Sequence, residues 1–206
     1  MPRPRFQRLT PERQHEIVEV AAQAFAEHGY EGASYNQILE DVGLSKGSAY
    51  YTFEGKADLY AEVLRREVQH VVERLPAPPA PSDARSFWCC VRQWLEDAVE
   101  FAAEHPRFMA LSRGFVVARA SGKLQELERE LEATLAGWIA EALHLGQRAG
   151  AVRTDLDVRL LASLTSAIFG VMDADLLGRE PVVQNPFEGV VDLYLDMLQR
   201  LLEPRC

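Results

Sequence analysis

The stretch LSKGSAYYTF, residues 44–53, decides how this 206-residue sequence is interpreted. A short helical pattern precedes it and ends at Gly43, a residue type that readily adopts the left-handed conformation that closes a helix. Ser45 can then cap a second short helix that runs into Tyr51. Two short helices joined by a turn that contains glycine have the length of a helix-turn-helix. The sequence therefore predicts this motif, with the N-terminus of its second helix directed outward.

An outward helix N-terminus suits the phosphate groups of DNA, because its unpaired amides carry partial positive charge. The side chains around it are mostly small, hydroxylic or basic, whereas Phe53 is expected to anchor the turn in the core. The alternative is an ordinary solvated surface, since helix-turn-helix geometry also occurs in proteins that bind no nucleic acid. The residues predicted to contact DNA are Ser34, Tyr35, Asn36, Lys46, Gly47, Ser48, Tyr50, Tyr51, Thr52 and Lys56.

The charge of the chain is uneven along its length. The formal net charge of -9 opposes binding to nucleic acid, yet residues 1–15 carry four arginines against one glutamate. Binding depends on the charges that line the contact face rather than on their sum. Arg3, Arg5 and Arg8 are expected to form either a flexible arm that reaches DNA or a disordered, solvated tail.

Helical periodicity extends over the rest of the chain. Apolar residues recur at three- and four-residue spacing after Thr10 and Pro11, which mark a helix start, and Gly29 marks the stop. A proline-rich segment, residues 75–81, interrupts the pattern, and no stretch alternates for long enough to make a strand. The sequence therefore predicts an all-α fold of about nine helices. The long helices predicted after the proline-rich segment are 83–104, 106–118, 124–149, 156–177 and 187–202.

The composition indicates a soluble intracellular protein. Hydrophobic residues make up 48% of the chain, and the longest mainly apolar run, residues 160–172, is too short to span a bilayer. The N-terminal arginines are followed by no apolar stretch of the kind found in secretory signals. Three cysteines without a framework spacing agree with a reducing compartment. We therefore expect a cytoplasmic protein that does not interact with a membrane.

Residues 17–59 closely resemble the N-terminal domain of the tetracycline-repressor (TetR) family of bacterial transcriptional regulators. The matching residues are Ala21, Phe25, Gly29, Tyr30, Ser34, Ile38, Gly43, Leu44, Ser45, Lys46, Gly47, Ser48, Tyr50, Phe53 and Lys56. The resemblance implies a homodimeric repressor that binds a palindromic double-stranded DNA operator and is released by a small-molecule inducer. It also implies a helix-turn-helix DNA-binding domain at residues 1–55 and a ligand-binding and dimerisation domain at residues 56–206. The departures from the usual pattern are Leu39, Ala49 and Thr52, and the last puts the strength of one phosphate contact in doubt.

The last two predicted helices carry more apolar residues than one buried face requires. In NPFEGVVDLYLDMLQRLLEP, residues 185–204, apolar side chains cover more than one stripe of a helix. Residues 160–177 show the same excess, with Ala162, Ser166 and Gly170 small enough for close helix approach. One side is expected to face the core and the other a second copy of the chain. The alternative is a single wide core face.

The middle helices are rich in aromatic residues, which at helical spacing are usually core. In the TetR family a cavity among these helices admits an inducer, and this composition would suit a ligand with apolar or aromatic parts. The residues predicted to line that cavity are Trp88, Arg92, Trp94, Phe108, Phe115, Trp138, Phe169 and Asp173. Arg113 and His144 are further candidates for a polar contact.

Two other classes of protein remain as alternatives. An all-helical enzyme is disfavoured, because the histidines are scattered singly and no glycine-rich phosphate loop follows a strand. We predict no catalytic residue, metal site or cofactor. A thiol redox sensor would use the adjacent Cys89 and Cys90, but neighbouring cysteines form a strained bond. Both are expected to be small buried residues, and Cys206 an exposed thiol.

Overall fold

The computed structural model describes residues 4–44, 47, 52–74, 80–119, 122, 124–178 and 189–204. Over these ranges the chain is helical and contains no strand, which confirms the all-α prediction. None of the described helices is both long and apolar enough to cross a membrane. The helices are α1 Pro4–Gln7, α2 Pro11–Gly32, α3 Tyr35–Asp41, α4 Lys56–Arg74, α5 Ala84–Glu104, α6 Pro106–Arg119, α7 Gln125–Arg148, α8 Val158–Gly178 and α9 Val190–Leu202.

The chain divides into two compact units. The N-terminal unit comprises residues 1–74 and 105–128, and the C-terminal unit comprises residues 75–104 and 129–206. In the N-terminal unit α2 packs against α3, α4 and α6. In the C-terminal unit α9 packs against α5 and α8. This division groups residues by their packing, and the functional boundary expected between residues 55 and 56 stays a prediction.

Helix α2 organises the N-terminal unit. Its start follows the expected signal, because Oγ1 of Thr10 accepts a hydrogen bond from the backbone N–H of Arg13 and Pro11 occupies the first turn. Its buried face, which includes Ile17, Ala21 and Phe25, is the apolar stripe of the sequence pattern. Gly29 has a φ of 66°, so helical geometry is interrupted at the residue predicted as the stop.

An aromatic cluster joins α2 to α4 and α6. The ring of Tyr60 lies 4.7 Å from that of Phe25 and 5.0 Å from that of Tyr30, centroid to centroid. The hydroxyl of Tyr60 donates a buried hydrogen bond of 2.7 Å to the carbonyl oxygen of Leu111. Burial and the neighbouring Tyr30 raise the pKa of Tyr60, so the hydroxyl keeps its proton and stays a donor. Gly114 is required beneath it, because a Cβ there would lie 2.7 Å from the Tyr60 oxygen.

Arg107 ties the start of α6 to the same two helices. Its guanidinium contacts Glu19 of α2 at 2.6 Å and Glu67 of α4 at 2.9 Å. A planar guanidinium with several donors can serve two carboxylates at once, which lysine cannot do with the same geometry. The hydrogen bond between Arg107 and Glu19 shifts the pKa of both groups, because it lowers the pKa of Glu19 and raises that of Arg107.

The C-terminal unit has its own apolar core. It is built from buried residues of α5, α7, α8 and α9. Helix α5 begins where Asp83 accepts a hydrogen bond of 2.8 Å from the backbone N–H of Ser86. Gly146 in α7 lets Phe87 and Val152 pack closely, since a Cβ there would come within 2.5 Å of Val152 and 2.8 Å of Phe87. The turn after α7 is held to the end of α9 by a backbone hydrogen bond of 2.7 Å from Arg153 to Leu202.

Candidate functional site

The first helix of the predicted helix-turn-helix and its turn are as expected. Oγ of Ser34 accepts a hydrogen bond of 3.3 Å from the N–H of Gln37 and so caps α3, which buries Ile38 and Leu39. After Val42 the chain turns at Gly43, whose φ is 62°. The N–H of Leu44 donates to the carbonyl of Leu39 at 2.8 Å, and that of Gly43 to Glu40 at 2.9 Å. These two bonds satisfy the last carbonyls of α3 and fix the direction in which the chain leaves the helix.

Arg13 connects this turn to α2. Its Nη2 donates a hydrogen bond to the carbonyl oxygen of Val42, and its Nη1 contacts Glu16 at 2.6 Å. Val42 is buried, so its carbonyl oxygen has few water molecules available as partners. The arginine that the sequence counted only toward the basic N-terminus therefore has a structural role in positioning the helix-turn-helix.

The predicted second helix, residues 45–51, lies mostly outside the described residues. This holds for Lys46, Ser48, Tyr50 and Tyr51, whose DNA contacts remain predictions, and also for Ala49. Gly47 is helical and exposed, and a Cβ built on it meets no atom within 4 Å. Its surface is therefore open to a partner in the part of the chain that the structure describes.

Thr52 and Phe53, which follow that helix, both point into the N-terminal unit. Phe53 is fully buried, as expected of a core anchor, and its ring lies 4.9 Å from that of Phe6. Thr52 is 2% exposed, although we predicted that it contacts DNA. A hydroxyl at this depth cannot reach a phosphate outside the domain without a rearrangement. We therefore leave Thr52 out of the proposed DNA surface.

The remaining predicted DNA contacts lie at the starts of two helices. Ser34 and Asn36 are exposed and Tyr35 is half-buried, so the N-terminus of α3 faces solvent. Lys56 opens α4 and is half-buried. Its Nζ donates to the carbonyl oxygen of Glu31 at 2.9 Å and lies 5.0 Å from the centroid of the Tyr30 ring. Lys56 is therefore held in place before any partner arrives.

We expected Arg3, Arg5 and Arg8 to form a flexible arm or a disordered tail; the described backbone of this segment is helical, and the contact of these arginines with DNA stays a prediction. Residues Pro4–Gln7 form α1, and Phe6 is only 1% exposed because its ring fills the space beside Phe53. Arg66 of α4 lies 5.7 Å from the centroid of the Phe6 ring. The sequence analysis weighed the arginines and overlooked the single aromatic residue among them. Arg8 is exposed, and Arg3 lies outside the described residues.

A cavity lies within the C-terminal unit, among α5, α7, α8 and α9. The empty space among its side chains is about 650 Å³, including the part that opens to solvent. Four predicted ligand residues line it, namely Trp88, Trp94, Trp138 and Phe169. The ring of Trp94 lies 4.8 Å from that of Trp138 and 6.2 Å from that of Phe169, centroid to centroid. The remaining lining residues are Pro81, Phe87, Cys90, Val91, Ile139, Ala142, Leu143, Leu145, Thr165, Leu198 and Leu202.

The other residues that we predicted to contact a ligand are not among the described residues that line the cavity. Arg92 is on the surface and forms an ion pair of 2.8 Å with Asp192 of α9. Phe108 and Phe115 lie on α6, which belongs to the N-terminal unit. The side chain of Asp173 lies outside the described residues, and the further candidates Arg113 and His144 are exposed.

Thr165 is the hydroxyl-bearing residue of the described lining, and the sequence analysis did not predict it as a ligand contact. It is 4% exposed and lines the cavity from α8. The signal was present, because Thr165 is a polar residue inside the longest apolar run of the chain. We used that run to exclude a membrane span and to predict a helix that faces a second copy, and did not consider Thr165 as a cavity residue.

The adjacent cysteines point in different directions. Cys90 is half-buried and lines the cavity, whereas Cys89 is exposed, contrary to the expectation that both are buried. Successive residues of a helix lie about 100° apart around its axis, so one of two adjacent side chains can face the core while the other faces solvent. Cys206 lies outside the described residues. Among those that the structure describes, no group of histidine, cysteine or carboxylate side chains could hold a metal ion.

Helices α8 and α9 each bury one apolar face and expose another. On α8 the exposed fractions are 49% for Leu160, 40% for Leu164 and 71% for Val171, at the spacing of one helical stripe. On α9 they are 49% for Leu193 and 38% for Met197, while Tyr194, Leu198 and Leu202 are buried. The apolar excess of these helices is therefore not absorbed by a single wide core face of one chain.

Several known proteins are similar in sequence to this chain, mostly over its N-terminal region. The family pattern described as bacterial regulatory proteins, tetR family, matches residues 17–63. The transcriptional repressor AcnR of Corynebacterium diphtheriae is 39% identical over 61 residues, which are 30% of this chain and 32% of that protein. The match thus spans about a third of the length of this curated relative. The repressor DhaR of Mycobacterium sp. strain GP1 is 26% identical over 77% of this chain and 78% of its own.

The fold of the whole chain is shared more widely than its sequence. The structure of GusR from Salmonella enterica superposes with a TM-score of 0.72 at 18% identity, covering 95% of this chain and 98% of that one. At this identity the likeness concerns the fold alone. Together with the capped helix-turn-helix start and the sequence match over residues 17–63, it identifies the class as helix-turn-helix transcriptional regulators. Over residues 17–63 the chain matches the TetR family of bacterial regulatory proteins.

Proposed function

We propose that the chain is a homodimeric repressor that binds a palindromic DNA operator and leaves it when a small molecule enters the cavity of the C-terminal unit. The observation that carries the proposal is the helix-turn-helix turn, closed by Gly43 and held to α2 through Arg13 and Val42. This arrangement supports a second helix with a defined direction and an N-terminus available to phosphates.

The predicted DNA surface combines three helix N-termini. Ser34, Tyr35 and Asn36 open α3, Gly47 belongs to the predicted second helix, and Lys56 opens α4. Lys46, Ser48, Tyr50 and Tyr51 complete the surface as sequence predictions. Helix N-termini favour anions through their amides, so the net charge of -9 does not prevent local binding.

Dimerisation is supported by the exposed apolar stripes of α8 and α9. Apolar side chains such as Leu164, Val171 and Leu193 are left in water in a single chain, and a second copy would cover them. A dimer would also lengthen the DNA sequence that is recognised, since one short helix contacts few base pairs. Two such helices about 34 to 36 Å apart read half-sites one turn apart.

Selection of bound sequences from a random duplex library, using the purified chain, tests the DNA-binding proposal. The expected product is a palindrome whose half-sites lie about one helical turn apart. If each subunit neutralises about four phosphates, log affinity should fall against log salt concentration with a slope of about −7. Enrichment of no sequence, together with a slope near zero, would exclude the proposed function.

A pair of variants isolates the helix-turn-helix. Lys46→Ala removes a predicted phosphate contact and should weaken binding to all sequences, reducing the salt slope by about 1 per subunit. His144→Ala removes an exposed residue of α7 in the C-terminal unit and should leave the slope unchanged. Equal slopes for the two variants would remove Lys46 from the proposed surface.

A further inference from the structure

Among the polar atoms of the C-terminal unit that are buried without a hydrogen-bond partner in the described part of the chain, two belong to residues that line the cavity. They are the indole Nε1 of Trp94 and the hydroxyl Oγ1 of Thr165, and both residues line the cavity. Buried polar groups in proteins are hydrogen-bonded in the great majority of cases, because an unmade bond destabilises the fold. Two such atoms beside one cavity indicate that a molecule entering it supplies the missing partner.

The chemistry of the two atoms defines what that partner must offer. An indole N–H is a donor only, so Trp94 needs an acceptor. The hydroxyl of Thr165 can donate to the same acceptor or accept from a neighbouring group. A carbonyl oxygen has two lone pairs and can accept from both.

The rest of the lining determines the charge and shape of the molecule. No acidic or basic side chain occurs among the described residues that line the cavity. Transfer of an unpaired charge into such surroundings is strongly unfavourable, so a carboxylate or an ammonium group would be excluded. The rings of Trp88, Trp94, Trp138 and Phe169 instead favour flat aromatic surfaces.

We propose that the inducer is an uncharged aromatic compound carrying a carbonyl acceptor, and that Trp94 and Thr165 donate hydrogen bonds to its oxygen. The proposal rests on the proposed function, because it names the class of ligand for the cavity of that regulator. It assigns specificity to two residues that share no sequence motif, one on α5 and one on α8.

Calorimetric titration of the purified full chain with three matched compounds tests this assignment. Acetophenone carries the carbonyl, α-methylstyrene replaces its oxygen by CH2, and benzoate replaces the ketone by a charged carboxylate; the naphthyl counterparts repeat the comparison with a second ring. The ketones should bind about tenfold or more tightly than the alkenes, since the alkenes leave both donors unpaired. The carboxylates should bind most weakly. Carboxylate binding equal to or tighter than that of the ketone, or equal binding of ketone and alkene in both series, would overturn the proposal.

Two variants identify the donors. Trp94→Phe keeps a ring and Thr165→Val keeps the shape, and each should weaken ketone binding about tenfold while changing alkene binding by less than about twofold. Trp138→Phe is the matched control, because this ring lies 4.8 Å from Trp94 and its indole nitrogen is not one of the unpartnered atoms. Equal losses in Trp138→Phe and Trp94→Phe would exclude the hydrogen bond as the cause.

Thr165→Val gives a readout without any added compound. Removal of a buried hydroxyl that has no partner should raise the midpoint of thermal unfolding of the ligand-free protein. A lowered midpoint would mean that Oγ1 already has a partner and would remove Thr165 from the proposal.

Operator binding, followed in the same samples, separates the two proposals. Intact DNA binding with a preference for benzoate would refute the neutral ligand and leave the regulator in place. A preference for the ketone without any DNA binding would support the neutral ligand and refute the proposed DNA-binding function.

Discussion

The guanidinium of Arg13 donates a hydrogen bond to the carbonyl oxygen of Val42, the residue at which α3 ends. Arg13 lies in the first turn of α2, so this one bond spans 29 positions of sequence and fixes the turn of the helix-turn-helix against its supporting helix. The position of the predicted DNA-reading helix therefore depends on a side chain that is not expected to touch DNA.

Arg13→Gln should destabilise the protein by about 1–2 kcal/mol, because it removes a charge-assisted bond to a buried residue. DNA affinity should fall about three- to tenfold, since the turn loses its fixed direction. Urea unfolding and anisotropy of a labelled operator measure the two effects. Glu16→Gln is the control, because it removes the ion pair of Arg13 and retains the bond to Val42. Equal behaviour of both variants would contradict the assigned role.

Gly114→Ala should destabilise the protein by about 1–3 kcal/mol, because the new Cβ would lie 2.7 Å from the Tyr60 hydroxyl oxygen. Tyr60→Phe alone should cost about 1 kcal/mol through loss of the bond to Leu111. In the double variant the clash is relieved, so its loss of stability should be smaller than the sum of the losses in the two single variants. Chemical denaturation of all four proteins measures this coupling.

A matched glycine substitution controls for helix propensity. Gly137→Ala in α7 adds a Cβ that meets nothing within 4 Å, and should stabilise the protein by about 0.5–1 kcal/mol. If Gly114→Ala also stabilised it, the close approach to Tyr60 would not constrain that position.

The contact between Glu19 and Arg107 should make a small part of the stability depend on pH. The hydrogen bond from Arg107 holds the pKa of Glu19 below its ordinary value of 4.5. The stabilisation is therefore present above that value and is lost as the pH falls through the lowered folded-state pKa. The side chains are 37% and 40% exposed, so screening by solvent limits the effect to about 0.5 kcal/mol.

Unfolding free energies of the wild type and Glu19→Gln at pH 7 and at pH 3 measure this effect. The variant should be less stable at pH 7, and the difference should shrink in acid. In an Arg107→Met background the substitution should make no difference at either pH. A constant difference in that background would assign the effect to some other partner of Glu19.

Val171→Asp should dissociate the proposed dimer while leaving the chain folded, because it places a charge in the most exposed position of the apolar stripe on α8. Sedimentation velocity measures the assembly, and operator affinity should fall more than tenfold with it. Val117→Asp is the control, since Val117 is 65% exposed on α6, in the N-terminal unit. A dimer that survives Val171→Asp would remove this stripe from the proposed interface.

The features that the sequence predicted are those that depend on local patterns. Gly29 and Gly43 were recognised as helix ends because a left-handed residue is a local requirement, and both have positive φ values. Phe53 was recognised as an anchor because an aromatic residue closes a polar stretch. The class of protein followed from an ordered motif within one segment, residues 17–59.

What the sequence did not predict depends on residues that are distant in the chain. Arg13 contacts Val42, and Trp94 and Thr165 come to line one cavity, only after helices have packed, and neither pair has a spacing that marks it. Arg92 and Phe108 were chosen for the cavity by composition, whereas helix direction places them elsewhere. Burial of Thr52, which is helical, likewise follows from which side of a short helical segment faces inward, and so few residues carry no clear periodicity from which to infer that side.

The placement of Phe6 has a practical consequence for anyone shortening or tagging this protein. Its ring packs beside Phe53 and lies near Arg66, so Phe6 is part of the folded interior. Truncation past Phe6 would act like a large-to-small mutation in the core, at about 3–5 kcal/mol. A regulator trimmed at that point would lose its operator through unfolding, even though no nucleotide-reading residue had been removed.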